Sequence, residues 1–484
     1  MISKIYRSSL ALLTDFYQLT MTYGYWKKNI HNKEACFNVF FRERPFKSGY
    51  AVFCGLEYVI DFLKNIKFTD DDLKYLKKLK TGNNKKIFDD EFLKFLKSFK
   101  FKCDIDAVEE GRLVFPNEPI FRVTGPLYQC QLIESAIVNI LNFQTLIATK
   151  ACRMNVVSSG DPIFEFGLRR AQGIDGALAA SRASYIGGCS STSNVLAGKI
   201  FNIPVSGTHS HSWILSHDSE IEAFRSFSEV MPDNCILLVD TYDTLKGVEK
   251  AIEVGRELKK INKKLLGIRI DSGDLSYLSK KSRKLLDKNG FEDVKIIASN
   301  DIDEFILSSL KQQKSKVTVW GIGTRLVTAY DNPSLGLVYK LSAIKENKSW
   351  IKKIKLSEQK IKINNPGILQ VHRYINDGKY DGDMIVDELI ENPNSIMIHP
   401  HDSTKVKRFS KNIKHIKLLV RIFRNGKPVY KNPSILKIKK LLSSELDKID
   451  NSIKRLHNPH LYKVGLEKKL YHEKNDMILN LRKL

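Results

Sequence analysis

Thr208-His209-Ser210-His211 follows a short apolar run that stops at Gly207, so two histidines two positions apart arrive together on a polar turn. Side chains so spaced on an extended segment point the same way, which suits metal ligation. A histidine on a turn rich in glycine and hydroxyls also suits nucleophilic or acid–base work. A third reading makes both rings structural. The later apolar runs end in Asp240, Arg269, Asp271 and Asn300, with only His217 nearby, which leaves a metal short of ligands. We read His211 as the reactive centre, with two structural rings as the alternative.

Five other apolar runs stop in a similar polar vocabulary. They are Glu165-Phe-Gly-Leu-Arg169-Arg170, Asp240-Thr-Tyr-Asp243, Arg269-Ile-Asp271-Ser-Gly-Asp274, Ser299-Asn-Asp301 and Gly321-Ile-Gly323-Thr324-Arg325. Arg269 and Asp271 share one strand face. The arginine can grip a carboxylate or phosphate through two parallel hydrogen bonds, and the aspartate can accept from sugar hydroxyls or hold a polyphosphate-borne Mg²⁺. An internal salt bridge between the two is the plain alternative. Gly321-Ile-Gly323-Thr324 has glycines that let backbone N–H groups approach a phosphate closely. It lacks the third glycine of a dinucleotide fingerprint and the lysine of a P-loop, and tight turns use glycine anyway. With Arg169, Arg170 and Arg325 near the same ends, the charge suits a substrate with several phosphates.

Such residues need a scaffold that delivers them to one place. Apolar runs begin near Ile163, Phe201, Cys235, Leu265, Val294 and Val317, with a helical pattern between successive runs. That alternation predicts a parallel α/β layer, and nearly continuous apolar strands fit burial on both faces. A barrel explains the convergence best, because all its strands open onto one mouth; an open doubly wound sheet is the alternative. The expected organisation is an N-terminal α+β domain over 1–140 and an irregular α/β barrel of parallel strands over 141–335. A β-rich segment over 336–430 returns to the N-terminal domain, and a basic helical extension covers 431–484. In the first domain we expect a helix after Thr14 or Asp15, strands over Cys36–Phe41 and Ala51–Cys54, and a long helix from Tyr128 to Asn155.

Composition narrows the class. The 484 residues carry 42% hydrophobic and 27% charged side chains, the balance of an ordinary globular protein. The formal net charge of +25 comes from lysines scattered along the whole chain, with no basic run interleaved with aromatics. We therefore expect anionic small substrates and no nucleic acid. Seven cysteines, an odd number with no Cys-x-x-Cys, argue against a disulfide framework and a structural zinc. No run approaches the ~20 apolar residues of a membrane helix, and Leu10–Leu13 is too short for a signal core. The expected location is the cytoplasm, with no membrane partner.

These motifs, in this order, resemble the nicotinate phosphoribosyltransferases, a type II phosphoribosyltransferase family. The resemblance runs from Thr14-Asp-Phe-Tyr17-Gln-Leu to about Arg373. It takes in Phe40-Phe-Arg-Glu-Arg-Pro45, Glu165 to Gly173, Gly207 to Ser212, Leu238 to Thr244, Arg269 to Asp274, Gly321 to Thr328, and Pro366-Gly367. It implies transfer of phosphoribosyl from phosphoribosyl pyrophosphate to nicotinate, giving nicotinate mononucleotide and pyrophosphate in NAD salvage. The transfer would be coupled to ATP hydrolysis. On this resemblance His211 falls on the phosphorylated histidine. Arg269, Thr208 and Tyr17 fall on the nicotinate pocket, Gly323 and Thr324 on the 5-phosphate cradle, Arg169 near base and pyrophosphate, and Asp271 near the ribose. Mg²⁺ would enter mainly with the pyrophosphate, without a protein metal site. A homodimer with shared active sites is implied, and Tyr17 is then a candidate to act across the subunit contact. Ser193 stands where the related nicotinamide enzymes carry an aspartate, and its neutral hydroxyl favours a carboxylate-bearing base.

Overall fold

The computed structural model describes residues 9–410 and 412–483. The chain forms two compact units, Leu146–Pro333 and the combination of Met1–Thr145 with Ser334–Leu484.

Leu146–Pro333 is built on six short parallel strands: β1 (Ile163–Glu165), β2 (Ser191–Thr192), β3 (Ile236–Leu238), β4 (Gly267–Ile270), β5 (Lys295–Asn300) and β6 (Val319–Ile322). Their order in the sheet is β2-β1-β6-β5-β4-β3. Leu237, Leu238, Ile268, Ile270, Ile296, Ala298, Trp320 and Ile322 are all buried, as expected for strands covered on both faces. The ladder itself is open, because among the described residues β2 and β3 are not paired with each other. The expected barrel is thus a six-stranded parallel sheet at the level of backbone pairing.

One expected strand is replaced. The helix Val195–Phe201 runs through the start of the Phe201 run, and Asn202 ends it in the left-handed conformation at φ 55°. Beyond it, Val205 makes an isolated parallel bridge to Thr192. Pro204 has no N–H to give, which limits this segment to a bridge. The strand that pairs with β1 on the side away from β6 is Ser191–Thr192, too short and polar to stand out by apolar content.

The helices after β3, β4 and β5 explain much of the acidic vocabulary at the strand ends. Asp243 accepts from the Lys246 amide at 2.9 Å, Asp274 from the Tyr277 amide at 2.9 Å, and Asp303 from the Phe305 and Ile306 amides at 2.9 and 2.8 Å. Each is an N-cap that satisfies an otherwise orphaned helix amide. Asp243 and Asp274 therefore serve the fold as helix caps, a task that Asp240 and Asp271 do not share.

The other unit holds two large sheets. In the first, Glu34–Phe40 lies between Phe121–Pro126 and Val338–Glu346, with Cys36 opposite both Thr124 and Ala343. Val420–Arg424 joins the same sheet beside Asp104–Ala107. The second runs Asp402–Arg408, Ile396–His399, Val464–Glu467, Lys379–Asp387, Leu369–Asn376 and Lys414–Lys417. The segment 431–484, expected as helix, thus also supplies an interior strand. The long helix expected over 128–155 is two, Leu127–Leu132 and Glu134–Ser158. Among the described residues no helix is long and apolar enough to cross a membrane.

Removing the cap in Asp274→Ala should weaken the first turn of Leu275–Lys288 by about 1 kcal/mol. Hydrogen exchange at the Tyr277 amide should quicken roughly fivefold, while amides of the capped helix Thr244–Lys260 stay unchanged.

Candidate active site

Arg269, on β4, is the centre of a hydrogen-bonded group. Its Nε donates to Ser299 Oγ at 2.8 Å, one terminal nitrogen to Thr208 Oγ1 at 3.1 Å, and the other to Asp271 Oδ1 at 2.9 Å. Three loops and strands thus fix one guanidinium plane, which also lies 5.7 Å from the Phe166 ring centroid. Three of the five guanidinium N–H donors are used, and one remains on each terminal nitrogen. Burial alone would push the Asp271 carboxyl up, but the Ser299 hydroxyl and Arg269 hold it below the usual carboxylate range. Its own amide donates to Asp240 Oδ2 at 2.8 Å, and Ser272 Oγ donates to the same oxygen at 2.7 Å. Asp240 Oδ1 is buried with no hydrogen-bond partner among the described residues.

The two histidines separate. His209 is buried at 7% exposure, and its Nε2 accepts from the Leu238 amide at 3.1 Å. Its Nδ1 lies 3.3 Å from the Ser210 carbonyl, so the ring is a neutral donor–acceptor with both nitrogens committed. Burial pushes its pKa down to about 4, with Arg269 and His211 adding to the fall. The Leu238 amide sits on the edge of β3 away from β4, since the neighbouring Val239 amide is the one that bonds to Arg269 O. With Val205 bridged to Thr192 on β2, the stretch 204–209 touches both edges of the open sheet. His211 turns the other way. It is the first residue of the short helix His211–Leu215, with Nδ1 3.1 Å from Thr241 Oγ1 and Nε2 3.9 Å from Asp271 Oδ2. The pair therefore does not converge on a metal, because the nitrogens of His209 are already spent.

The Gly321-Ile-Gly323-Thr324 turn follows β6. A Cβ on Gly321 would stand 2.8 Å from two Phe166 ring carbons, and one on Gly167 would stand 2.2 Å from Val327. Both glycines permit the close approach of the β1 and β6 ends. Glu165, buried beneath, accepts from the Gly167 amide, from Ser181 Oγ at 2.9 Å and from Thr192 Oγ1 at 2.5 Å. It ties the β1 turn to β2, a task its place in the motif did not disclose. Arg169 is exposed on the single turn Leu168–Arg170, and Ser193 is half-buried with its amide on Glu165 O.

Arg269, Asp271, Thr208 and His211 are thus brought into contact or near-contact. Gly323, Thr324 and Arg169 lie on the turns after β6 and β1. Tyr17 belongs to the other unit, half-exposed at the start of helix Phe16–Lys27. Ser299, Thr241 and Asp240 were passed over as candidates. Ser299 holds both Arg269 and Asp271, and Thr241 holds His211. The available signal was their position: each stands at a strand end, as the chosen residues do.

Three family models match in succession: the nicotinate phosphoribosyltransferase N-terminal domain over 12–142, the nicotinate phosphoribosyltransferase family over 162–366, and the C-terminal domain over 369–474. A Bacillus subtilis (strain 168) nicotinate phosphoribosyltransferase is 45% identical over 477 residues, covering 97% of this chain and 95% of the relative. The Caenorhabditis elegans nicotinate phosphoribosyltransferase is 37% identical, covering 95% and 92%. The crystal structure of human nicotinic acid phosphoribosyltransferase superposes with a TM-score of 0.83 at 27% identity, covering 96% of this chain and 99% of that one. A Pyrococcus furiosus nicotinate-nucleotide pyrophosphorylase shares the fold at a TM-score of 0.69 and 21% identity, with 91% and 96% covered.

His209 has an ordinary pKa of 6.5 when unfolded and about 4 in place, so between these values the unfolded chain binds the extra proton. Its contribution to stability is complete above pH 6.5 and is lost as the pH falls toward 4. His209→Gln keeps an acceptor for Leu238 but cannot titrate. Thermal unfolding of the wild type should therefore fall relative to this variant between pH 7 and 4, and parallel curves would refute a neutral His209.

Proposed function

The chain belongs to the nicotinate phosphoribosyltransferase family, and we propose that it moves phosphoribosyl from phosphoribosyl pyrophosphate to nicotinate. The products are nicotinate mononucleotide and pyrophosphate, on a salvage route to NAD. The observation that carries this reading is Arg269, held in one plane by Thr208, Ser299 and Asp271 with an N–H to spare on each terminal nitrogen. That pair matches the two oxygens of a nicotinate carboxylate. The half-buried Ser193 adds no negative charge that would oppose a carboxylate-bearing base.

The pyridine nitrogen attacks the ribose C1 as the C1–O bond to pyrophosphate breaks, and the bonding pair leaves with pyrophosphate. Nicotinate is already a nucleophile, so no general base is needed. The residues position the partners and balance charge, with most effect where charge develops in the transition state. Asp271 faces the ribose in this reading, Gly323 and Thr324 cradle its 5-phosphate, and Arg169 serves the pyrophosphate. Mg²⁺ supplies charge neutralisation on the pyrophosphate. The orphaned Asp240 Oδ1 and the Asp271 carboxylate are hard oxygen donors that fit it.

ATP is the proposed co-substrate. With Nδ1–H donating to Thr241 Oγ1, the His211 lone pair sits on Nε2, which attacks the γ-phosphorus as the bond to ADP breaks. Water later releases phosphate from Nε2. The phosphoryl group stands near Asp271, so its charge competes with that carboxylate for Arg269, which is a direct route from phosphorylation to substrate grip. We read the sheet plus the 204–209 bridge as an irregular barrel, and the working form as a cytoplasmic homodimer in which Tyr17 completes the partner's nicotinate pocket.

The decisive assay offers nicotinate, nicotinamide and quinolinate in parallel with phosphoribosyl pyrophosphate and Mg²⁺, with and without ATP. Product from nicotinate, raised by ATP, is expected. Product from nicotinamide alone would overturn the substrate. His211→Ala should abolish ATP hydrolysis and leave slow ATP-independent transfer, so undiminished ATPase would remove His211 from that role. Arg269→Ala should raise the nicotinate KM about 10- to 100-fold through loss of charge-assisted hydrogen bonds. Mixed Tyr17→Ala and Arg269→Ala subunits should regain activity that neither has alone; no regain would refute shared sites.

A further inference from the structure

Arg269 is approached from two sides by segments that belong to other parts of the Leu146–Pro333 unit. The Phe166 ring, on the turn after β1, lies 5.7 Å from its guanidinium. Thr208, at the end of the stretch 204–208, accepts from it at 3.1 Å. Both segments lead back to one side chain, that of Glu165, buried at 1% exposure.

The first path is short. One Glu165 oxygen accepts from the Gly167 amide, which fixes the backbone that carries Phe166 and then Arg169. The Phe166 amide is itself tied to Ile322 O at 2.8 Å, and the bare Gly321 leaves room for the ring. The second path runs through β2. The other Glu165 oxygen accepts from Thr192 Oγ1 at 2.5 Å and from Ser181 Oγ at 2.9 Å. The Thr192 backbone then grips the stretch before Thr208 at two points. Its amide donates to Pro204 O, and its carbonyl accepts from the Ser206 amide, each at 3.0 Å. Asn194 stiffens the same corner, its amide donating to Thr192 Oγ1 at 3.0 Å and its Nδ2 to Ser181 Oγ at 3.3 Å.

Burying a carboxyl group costs free energy that its hydrogen bonds must offset. An apolar side chain would fill the same space at less cost. Only an acceptor can hold three donors from separate segments in one fixed arrangement. We propose that Glu165 is a positioning residue for the base-binding end of the site. Buried beneath that site, it sets Phe166 and Thr208 around Arg269, so that the two free N–H groups of the guanidinium keep one direction. The proposal rests on the reading of Arg269 as the ligand of the nicotinate carboxylate.

The nicotinate affinity of the full-length protein, measured by calorimetry, is the test. Glu165→Gln keeps the shape but turns one acceptor into a donor that faces the Thr192 and Ser181 hydroxyls. It should weaken nicotinate about tenfold, the scale of one or two misplaced hydrogen bonds. Thr192→Val keeps its shape as well and removes one donor from Glu165, so it should act in the same direction by about fivefold. In an Arg269→Ala background neither change should shift the affinity more than about twofold, because no guanidinium is left to position. A merely structural role would lower the melting temperature of both variants and leave the nicotinate affinity of the folded protein unchanged. That result would overturn the proposal, as would an effect of undiminished size in the Arg269→Ala background. Arg269→Ala alone separates the two readings. If it leaves nicotinate affinity unchanged, the assignment of Arg269 falls and the proposal with it. If it weakens nicotinate while Glu165→Gln and Thr192→Val do not, the role of Glu165 alone falls.

Discussion

A backbone amide on the edge of a buried sheet must find an acceptor, and in this protein the amide of Leu238 finds one in an imidazole. The consequence spreads from that bond. His209 is fixed as a neutral ring, and the residues on either side of it are fixed with it. Thr208 is thereby set against Arg269, and two residues later His211 is set against Thr241. A histidine whose two ring nitrogens are spent on backbone groups thus anchors the two residues of its own turn that reach Arg269 and Thr241.

Around that anchor the charges are paired with one another. Arg269 and Asp271 are two apart on one strand, and Ser299 from the next strand bonds to both. A bare salt bridge would leave the arginine able to swing. The added hydroxyls of Ser299 and Thr208 remove that freedom and leave a planar fork with defined open positions. Asp240 works one step further out, holding the backbone of Asp271 and the hydroxyl of Ser272.

Much of this was legible in the sequence. The alternation of apolar runs with helical patterns disclosed the parallel layer, and the shared polar vocabulary at the run ends disclosed that the site gathers there. Spacing alone could not sort the acidic residues, because an aspartate that caps a helix and one that faces a substrate look alike until the helix start is known. Asp274 and Asp271 are three residues apart, yet one caps a helix and the other bonds to Arg269. The histidine pair failed as a geometric reading for a related reason. The two-residue rule holds on an extended segment, but a helix begins at His211 and turns its ring away from that of His209. The β2 strand escaped notice because burial there comes from Glu165 bonding to Thr192, not from apolar content.

The connectivity also imposes an order in time. Residues 146–333 are contiguous, so their unit is complete once they have been synthesised. The other unit has no such option. Glu34–Phe40 pairs with Val338–Glu346, and the second sheet takes Val464–Glu467 into its interior beside Lys379–Asp387. Its early strands must wait, with one edge unpaired, while the whole of the intervening unit is made. A nascent chain of this protein therefore carries an exposed, strand-forming N-terminal segment through most of translation, the stage at which an open edge is most vulnerable to pairing with the wrong partner.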